Sequence, residues 1–206
     1  TISVNLSCRQ FDDPELTRLI RDVLANTGLP AGVLRLEVTE SIFAKDPEAA
    51  QAILSDLAAL GVGLEIDDFG TGYSSLSQLH RLPFDTLKVD HSFVRAMDRS
   101  PEGRKIVDSI ANLARSLGIG VVAEGIEKAE HWVQLENLGC HVGQGYFFGI
   151  PAGADATTEL IRQRCTEKWA KPDGAGMFMS NLIAIEEAAA SGGEAKGSTS
   201  HEKDWT

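Results

Sequence analysis

Cysteine is scarce in this chain. Cys8, Cys140 and Cys165 are its only three in 206 residues, odd in number and far apart. That excludes a disulfide framework and a cysteine-based zinc site, and it points to free thiols in a reducing compartment. Long apolar runs are also missing. None reaches the ~20 residues that a membrane-spanning helix needs, and no leader-peptide pattern is visible, so the expected location is the cytoplasm or the cytoplasmic face of a membrane. Positive charge is short as well. Nineteen Lys and Arg stand against thirty Asp and Glu, a net charge of -11. This argues against nonspecific binding to polymeric nucleic acid or anionic membranes. It leaves room for a small anionic ligand, because a bound divalent cation reverses the local sign. There is no initiating methionine: Thr1 lies directly inside an apolar stretch, as expected for a fragment of something longer.

What is present is ordinary for a soluble domain. The chain is 43% hydrophobic and 24% charged, and it is long enough for one sizeable core. Short apolar runs alternate with helical patterns. Strands are predicted at 1–6, 34–38, 62–66, 86–89, 120–123 and within 140–148. Asp13-Pro14-Glu15 and Asp46-Pro47-Glu48 read as helix starts. Leu16, Leu19, Ile20, Val23 and Leu24 form one apolar stripe, and Ile53, Leu54, Leu57 and Ala58 a second. Further helices are predicted through Leu76 and Leu79, from about 102 to 117, at 128–138 and at 155–168. Repeated strand-helix units of this length give parallel strands with right-handed crossovers. The expected class is α/β. Residues 1–168 form one domain. Residues 169–206 have a low-complexity, disordered-tail composition, with a short helix allowed at 177–190.

The chemistry concentrates at strand ends. Asp67-Asp68-Phe69-Gly70-Thr71-Gly72 places two adjacent carboxylates where an apolar run stops. Adjacent side chains on a strand point to opposite faces, a rule that relaxes at a strand terminus, where both can converge on cations. As a bland alternative, Asp68 merely caps the next helix. Asn5, Glu37, Lys88, Glu124 and Gln144 also sit at or near C-terminal strand ends, the rim on which α/β barrels build active sites. Singly, each has an ordinary reading as a turn closer, cap or rim ion pair; their joint placement favours a site. Oxygen ligands of this kind suit magnesium or manganese.

The segments Val4-Asn5-Leu6-Ser7, Leu36-Glu37-Val38-Thr39-Glu40-Ser41, Asp67 to Leu76, Leu87-Lys88-Val89-Asp90, Val121-Val122-Ala123-Glu124-Gly125-Ile126-Glu127 and Gln144-Gly145-Tyr146 resemble the EAL-domain family. Members of that family are bacterial phosphodiesterases that open cyclic di-GMP to linear pGpG. The resemblance covers roughly residues 1 to 152. It implies a (β/α)8 TIM-like barrel with two Mg2+ or Mn2+ ions and in-line attack on phosphorus by a metal-activated water. It implies that Asn5, Glu37, Asp67, Asp68 and Glu124 hold the metals. Lys88 would hold the attacking water, and Gln144 would lie near substrate. Glu40 would brace the loop after Asp68, and Glu127 would support the metals from one shell further out. It also implies a homodimer through the loop after Asp68 and an upstream sensory or GGDEF-type domain.

The Glu-Ala-Leu motif that names the family is absent. With it go a metal-ligating glutamate, a phosphate-binding arginine and two strands of the family barrel. About six parallel strands of an N-terminally truncated barrel are therefore expected. A catalytically inactive cyclic di-GMP receptor is the alternative to the phosphodiesterase, and an unrelated barrel hydrolase is a third reading that the motif set disfavours. Arg35 and Glu65 each lie two residues before a site carboxylate, so they share its inward face and are expected to pair across neighbouring strands.

Overall fold

The computed structural model describes residues 1–43, 45–72, 79–166 and 178–179. Its centre is a parallel sheet in sequential order. The strands are β1 (Ile2–Asn5), β2 (Leu34–Thr39), β3 (Gly63–Phe69), β4 (Thr86–Val89), β5 (Gly120–Ala123), β6 (Val142–Gly143) and β7 (Phe178–Met179). Each pairs with its sequence neighbour, as short right-handed crossovers dictate. Among the described residues β1 and β7 each pair on one side only, so the sheet is a half-barrel and not a closed ring.

The helices of the crossovers are α1 (Cys8–Phe11), α2 (Leu16–Thr27), α3 (Pro47–Ala59), α4 (His91–Met97), α5 (Pro101–Leu117), α6 (Ala129–Asn137) and α7 (Ala154–Thr166). Local chemistry fixes their ends. Asp46 caps α3 through the backbone N–H groups of Glu48 and Ala49, with Pro47 at the first helical position. Ser100 caps α5 through Gly103, and Gly118 closes it in the left-handed region. Leu54, Leu57, Val107 and Ala111 turn inward into one core with Val38, Leu64, Ile66, Leu87 and Val89, all almost fully buried.

Several expectations need correction. α2 begins at Leu16, not at Asp13-Pro14: a short helix, α1, comes first, and residues 13–15 then form a turn in which Asp13 Oδ1 accepts the Glu15 N–H at 2.9 Å. Ser7 and Gln10 build a reciprocal capping box that starts α1. The stripe on α2 is only partly covered: Leu16 is buried, while Leu19 and Val23 are 58% and 47% exposed. β3 runs three residues beyond Ile66, so Asp67 and Asp68 lie within a strand and not past its end. α4 was not expected at all. β6 has only two residues and stops before Gln144, because the chain turns sharply at Gly145. A Cβ at Gly145 would lie 2.3 Å from the backbone of Ile126, so no larger residue fits that crossing. Phe178–Met179 pairs with β6 as a strand where a helix from 177 was allowed. The helix through Leu76 and part of the loop assigned to a dimer contact fall on 73–78, outside the described residues, as does the rest of the 169–206 tail. Among the described residues no helix is long and apolar enough to cross a membrane.

Candidate active site

Two charged layers line the inner face of the half-barrel. Residues two apart on a strand share a face, about 7 Å from each other. The lower layer is Ser3, Arg35, Glu65 and Thr86. Arg35 Nη1 lies 3.4 Å from Glu65 Oε1 and 3.4 Å from Thr86 Oγ1, and Ser3 Oγ donates to Glu65 Oε2 at 3.0 Å. The Arg35–Glu65 pair expected from strand alternation therefore forms. It spans β2 and β3 diagonally, because Arg35 stands level with Gly63.

The upper layer, two residues further on, is Asn5, Glu37, Asp67 and Lys88, joined by Glu124 from the end of β5. The Lys88 ammonium lies 2.9 Å from Glu37 Oε2, 2.9 Å from Asp67 Oδ1 and 2.6 Å from Glu124 Oε1. Lys88 and Glu37 are each 2% exposed. Burial works against the lysine's charge, but the three carboxylates outweigh it and hold its pKa above the usual value. The carboxylates feel the opposite balance. Burial, together with mutual repulsion among Glu37, Asp67 and Glu124, pushes Glu124 up to about 7 against the pull of Lys88. Burial likewise raises Glu37. Burial and the neighbouring charge of Asp67 raise Asp68.

Asp68 joins this layer through an irregularity in β3. The register against β4 shifts between Ile66 and Phe69, and Asp68 has φ 51°, the only non-glycine among the described residues in the left-handed region. A bulge of this kind re-aims a side chain that regular alternation would send to the other face. Asp67, Asp68 and Glu124 thereby offer carboxylate oxygens within 4.8 Å of one another. The segment after Asp68 is held from β2: Glu40, at the end of that strand and 8% exposed, accepts the Gly70 N–H at 2.7 Å. A Cβ at Gly72 would lie 2.9 Å from Glu40 Oε2 and 3.2 Å from Glu40 Cβ, so the segment packs closely on Glu40.

The donor set fits a hard divalent cation. Three carboxylates, Glu37, Asp67 and Glu124, surround one ammonium, and Asp68 lies beside Asp67 and Glu124. Glu37 Oε2 and Asp67 Oδ1 are buried and sit at ion-pair distance from Lys88, yet neither receives an aligned hydrogen bond from the described residues. Unused lone pairs on buried carboxylate oxygens, with no nitrogen or sulfur donor among them, suit magnesium or manganese and not zinc. Asn5 stands beside Glu37 in register at the same rim.

The remaining sequence candidates occupy the flank. Gln144 follows β6, its N–H bonded to Ala123 O at 2.8 Å, and lines a cavity of about 320 Å³ with His91, Arg95, Glu127, Tyr146 and Phe148. Glu127 is exposed and pairs with Arg95 at 2.6 Å; it is not one of the three carboxylates around Lys88. Two residues here were missed. Asp90 is 4% exposed, caps α4 through Ser92 N–H, pairs with His91 Nδ1 at 2.7 Å and adds to the charge felt by Asp68. His91 lines the cavity. A signal existed, because Asp90 is a carboxylate directly after a strand carrying Lys88, but its capping role hid it.

Residues 1–151 match the model of the EAL domain. The chain belongs to the EAL-domain family. NbdA of Pseudomonas aeruginosa, a cyclic di-GMP phosphodiesterase, is 39% identical over 161 residues, 78% of this chain and 21% of that protein. This EAL chain spans about a fifth of the length of the curated relatives it matches. The P. aeruginosa phosphodiesterase PaMucR in its c-di-GMP complex superimposes with a TM-score of 0.73 at 42% identity, covering 76% of this chain and 64% of that one. Klebsiella pneumoniae BlrP1, solved with manganese and cyclic di-GMP, gives 0.64 at 36% identity over 70% of this chain and 37% of that one. The half-barrel is thus part of an EAL-type TIM barrel.

Proposed function

We propose that this rim is the catalytic centre of a cyclic di-GMP phosphodiesterase that yields linear pGpG. The observation that carries the reading is the Lys88 ammonium enclosed by Glu37, Asp67 and Glu124, with Asp68 turned toward the same space. Asp67, Asp68, Glu37 and Glu124, with Asn5 beside them, would hold Mg2+ or Mn2+. Bound there, such ions polarise phosphoryl oxygen and acidify water. The chain's own residues do the rest. Lys88, held protonated, presents N–H donors to a water or phosphate oxygen at the centre of the carboxylates. Glu40 holds the Gly70 amide and so fixes the segment behind Asp68. Gln144 and the cavity beside it would receive part of the nucleotide.

The absence of Glu-Ala-Leu from these residues favours a second reading, a receptor that binds cyclic di-GMP without cleaving it. Both readings are tested by assaying the 206-residue chain beside a version extended with the two absent strands from a related domain, each with Mg2+ or Mn2+. The short chain should turn over poorly, because one cation lacks a ligand and substrate lacks its arginine. Extension should raise turnover by orders of magnitude. A folded extended chain that binds cyclic di-GMP without cleaving it would establish the receptor reading.

A further inference from the structure

Residues 124–127, between β5 and α6, have no regular structure of their own. Helix α4 lies against them. His91, Arg95 and Asp98 recur at spacings of four and three, so they share one side of that helix and its cap. The first two meet the segment, and the third meets the start of α6 directly after it. A Cβ at Gly125 would lie 2.4 Å from His91 Cβ, so the two backbones touch there without room for a side chain. Arg95 pairs with Glu127 at 2.6 Å. Asp98 Oδ2 lies 3.0 Å from Lys128 Nζ and 2.9 Å from His131 Nε2.

The third contact differs from the others. His131 is 2% exposed, and its Nδ1 finds no partner among the described residues. Asp98 therefore supplies the hydrogen bond that the buried ring makes. One carboxylate oxygen joins the cap of α6, Lys128, to its first turn, His131. The other end of α4 is capped by Asp90, two residues from Lys88. α4 thus starts from the strand that carries Lys88 and ends on the start of α6, directly after the segment that holds Glu124. The two charged groups meet at 2.6 Å.

We infer that Asp98 is a positioning residue. Acting through Lys128 and His131, it sets where 124–127 stands and so holds the Glu124 carboxylate toward Lys88, Asp67 and Asp68. It touches none of those groups. The inference rests on the reading that Glu124 belongs to a cation site.

Two measurements on the 206-residue chain test it. In hydrogen exchange followed by mass spectrometry, Asp98→Ala should speed exchange of the Glu124 and Ile126 amides, which bond Val89 O and Gln144 O, by about tenfold. Amides of β2 and β3 should not change. Asp98→Asn, which keeps an acceptor oxygen for both donors, should restore protection. In Mn2+ titrations read by electron paramagnetic resonance, Asp98→Ala should weaken binding about tenfold and Asp98→Asn should recover it. If Asp98→Ala does not fold, Lys128→Met, on the exposed side of the clamp, should give the same local loosening. Uniform acceleration, or an unchanged segment, would reduce Asp98 to a stability contact and overturn the inference. Unchanged Mn2+ affinity with a loosened segment would overturn its link to Glu124. Failure of the wild type to bind Mn2+ would reject the cation reading, and the exchange pattern would still decide the role of Asp98.

Discussion

Removing the charge of Glu124 should stabilise the metal-free protein. The Glu124 carboxyl is pushed from its ordinary 4.5 to about 7, first by burial, then by Asp67 and Glu37, with Lys88 opposing. A carboxyl with a raised folded pKa binds its proton more tightly when folded than when unfolded. Its contribution is complete below about 4.5 and is lost as pH rises through about 7. At ~1.4 kcal/mol per pKa unit, the shift amounts to roughly 3 kcal/mol. Glu124→Gln removes this titration. In EDTA the variant and wild type should match at pH 4.5, and by pH 8 the variant should be more stable by about 3 kcal/mol. Urea unfolding followed by circular dichroism across that range measures the difference. Glu37 and Asp68, raised in the same direction, remain in both proteins. Adding Mn2+ should reverse the order at pH 8, because the ion stabilises the protein that holds it better. A variant less stable than wild type at pH 8 in EDTA, or a difference independent of pH, would refute the reasoning. Either would mean that the 2.6 Å contact with Lys88 outweighs burial and like-charge repulsion.

Lys88→Met strands three carboxylates and should lose about 3–5 kcal/mol in urea unfolding at pH 8; a loss under about 1 kcal/mol would show that water reaches the layer freely. Arg35→Met leaves Glu65, 4% exposed, with Ser3 alone. It should lose about 1–3 kcal/mol, largely recovered by adding Glu65→Leu, since an apolar pair can replace a buried ion pair; no recovery in the double variant would reject the pairing. Burial pushes the Cys140 thiol up to about 11. Cys140→Ser should therefore leave the rate and amplitude of native thiol labelling at pH 8 unchanged, and a lost labelling phase would contradict that burial.

Strand ends were legible because polar residues interrupt apolar runs there. Asn5, Glu37 and Lys88 each stand out between Val and Leu neighbours, Glu124 follows the apolar run Val121-Val122-Ala123, and all four reach one rim. α3 was legible for a similar reason, since Asp46-Pro47 announces a cap and a first helical residue; α5 was read from about 102, and its cap, Ser100 before Pro101, was not. α1 and α4 were not, being four and seven residues long, too short to show an apolar stripe. Their signals were the capping pairs Ser7–Gln10 and Asp90–Ser92. The exposure of Leu19 and Val23 could not be read from spacing, because a stripe says which residues share a face and not what covers it.

The convergence of Asp67 and Asp68 has a cause that the residues alone do not reveal. It was expected from the end of a strand, but β3 continues through Phe69. In a regular strand, Asp67 facing Lys88 would send Asp68 to the opposite face. The left-handed backbone at Asp68 breaks that alternation at a cost of about 1–2 kcal/mol, less for aspartate than for most residues. Such a conformation persists only where neighbouring contacts over-determine it. Here Thr71 bonds Asp68 O through both its N–H, at 3.2 Å, and its Oγ1, at 2.8 Å. Gly70, at φ 95°, then places its N–H on Glu40, and an added Cβ there would lie 2.9 Å from Phe93 of α4. The Asp pair therefore owes its geometry to Glu40 at the end of β2, to Thr71 in its own loop and to Phe93 on α4. None of these carries a carboxylate of that pair, and each constrains the backbone that aims the two aspartates toward Glu124.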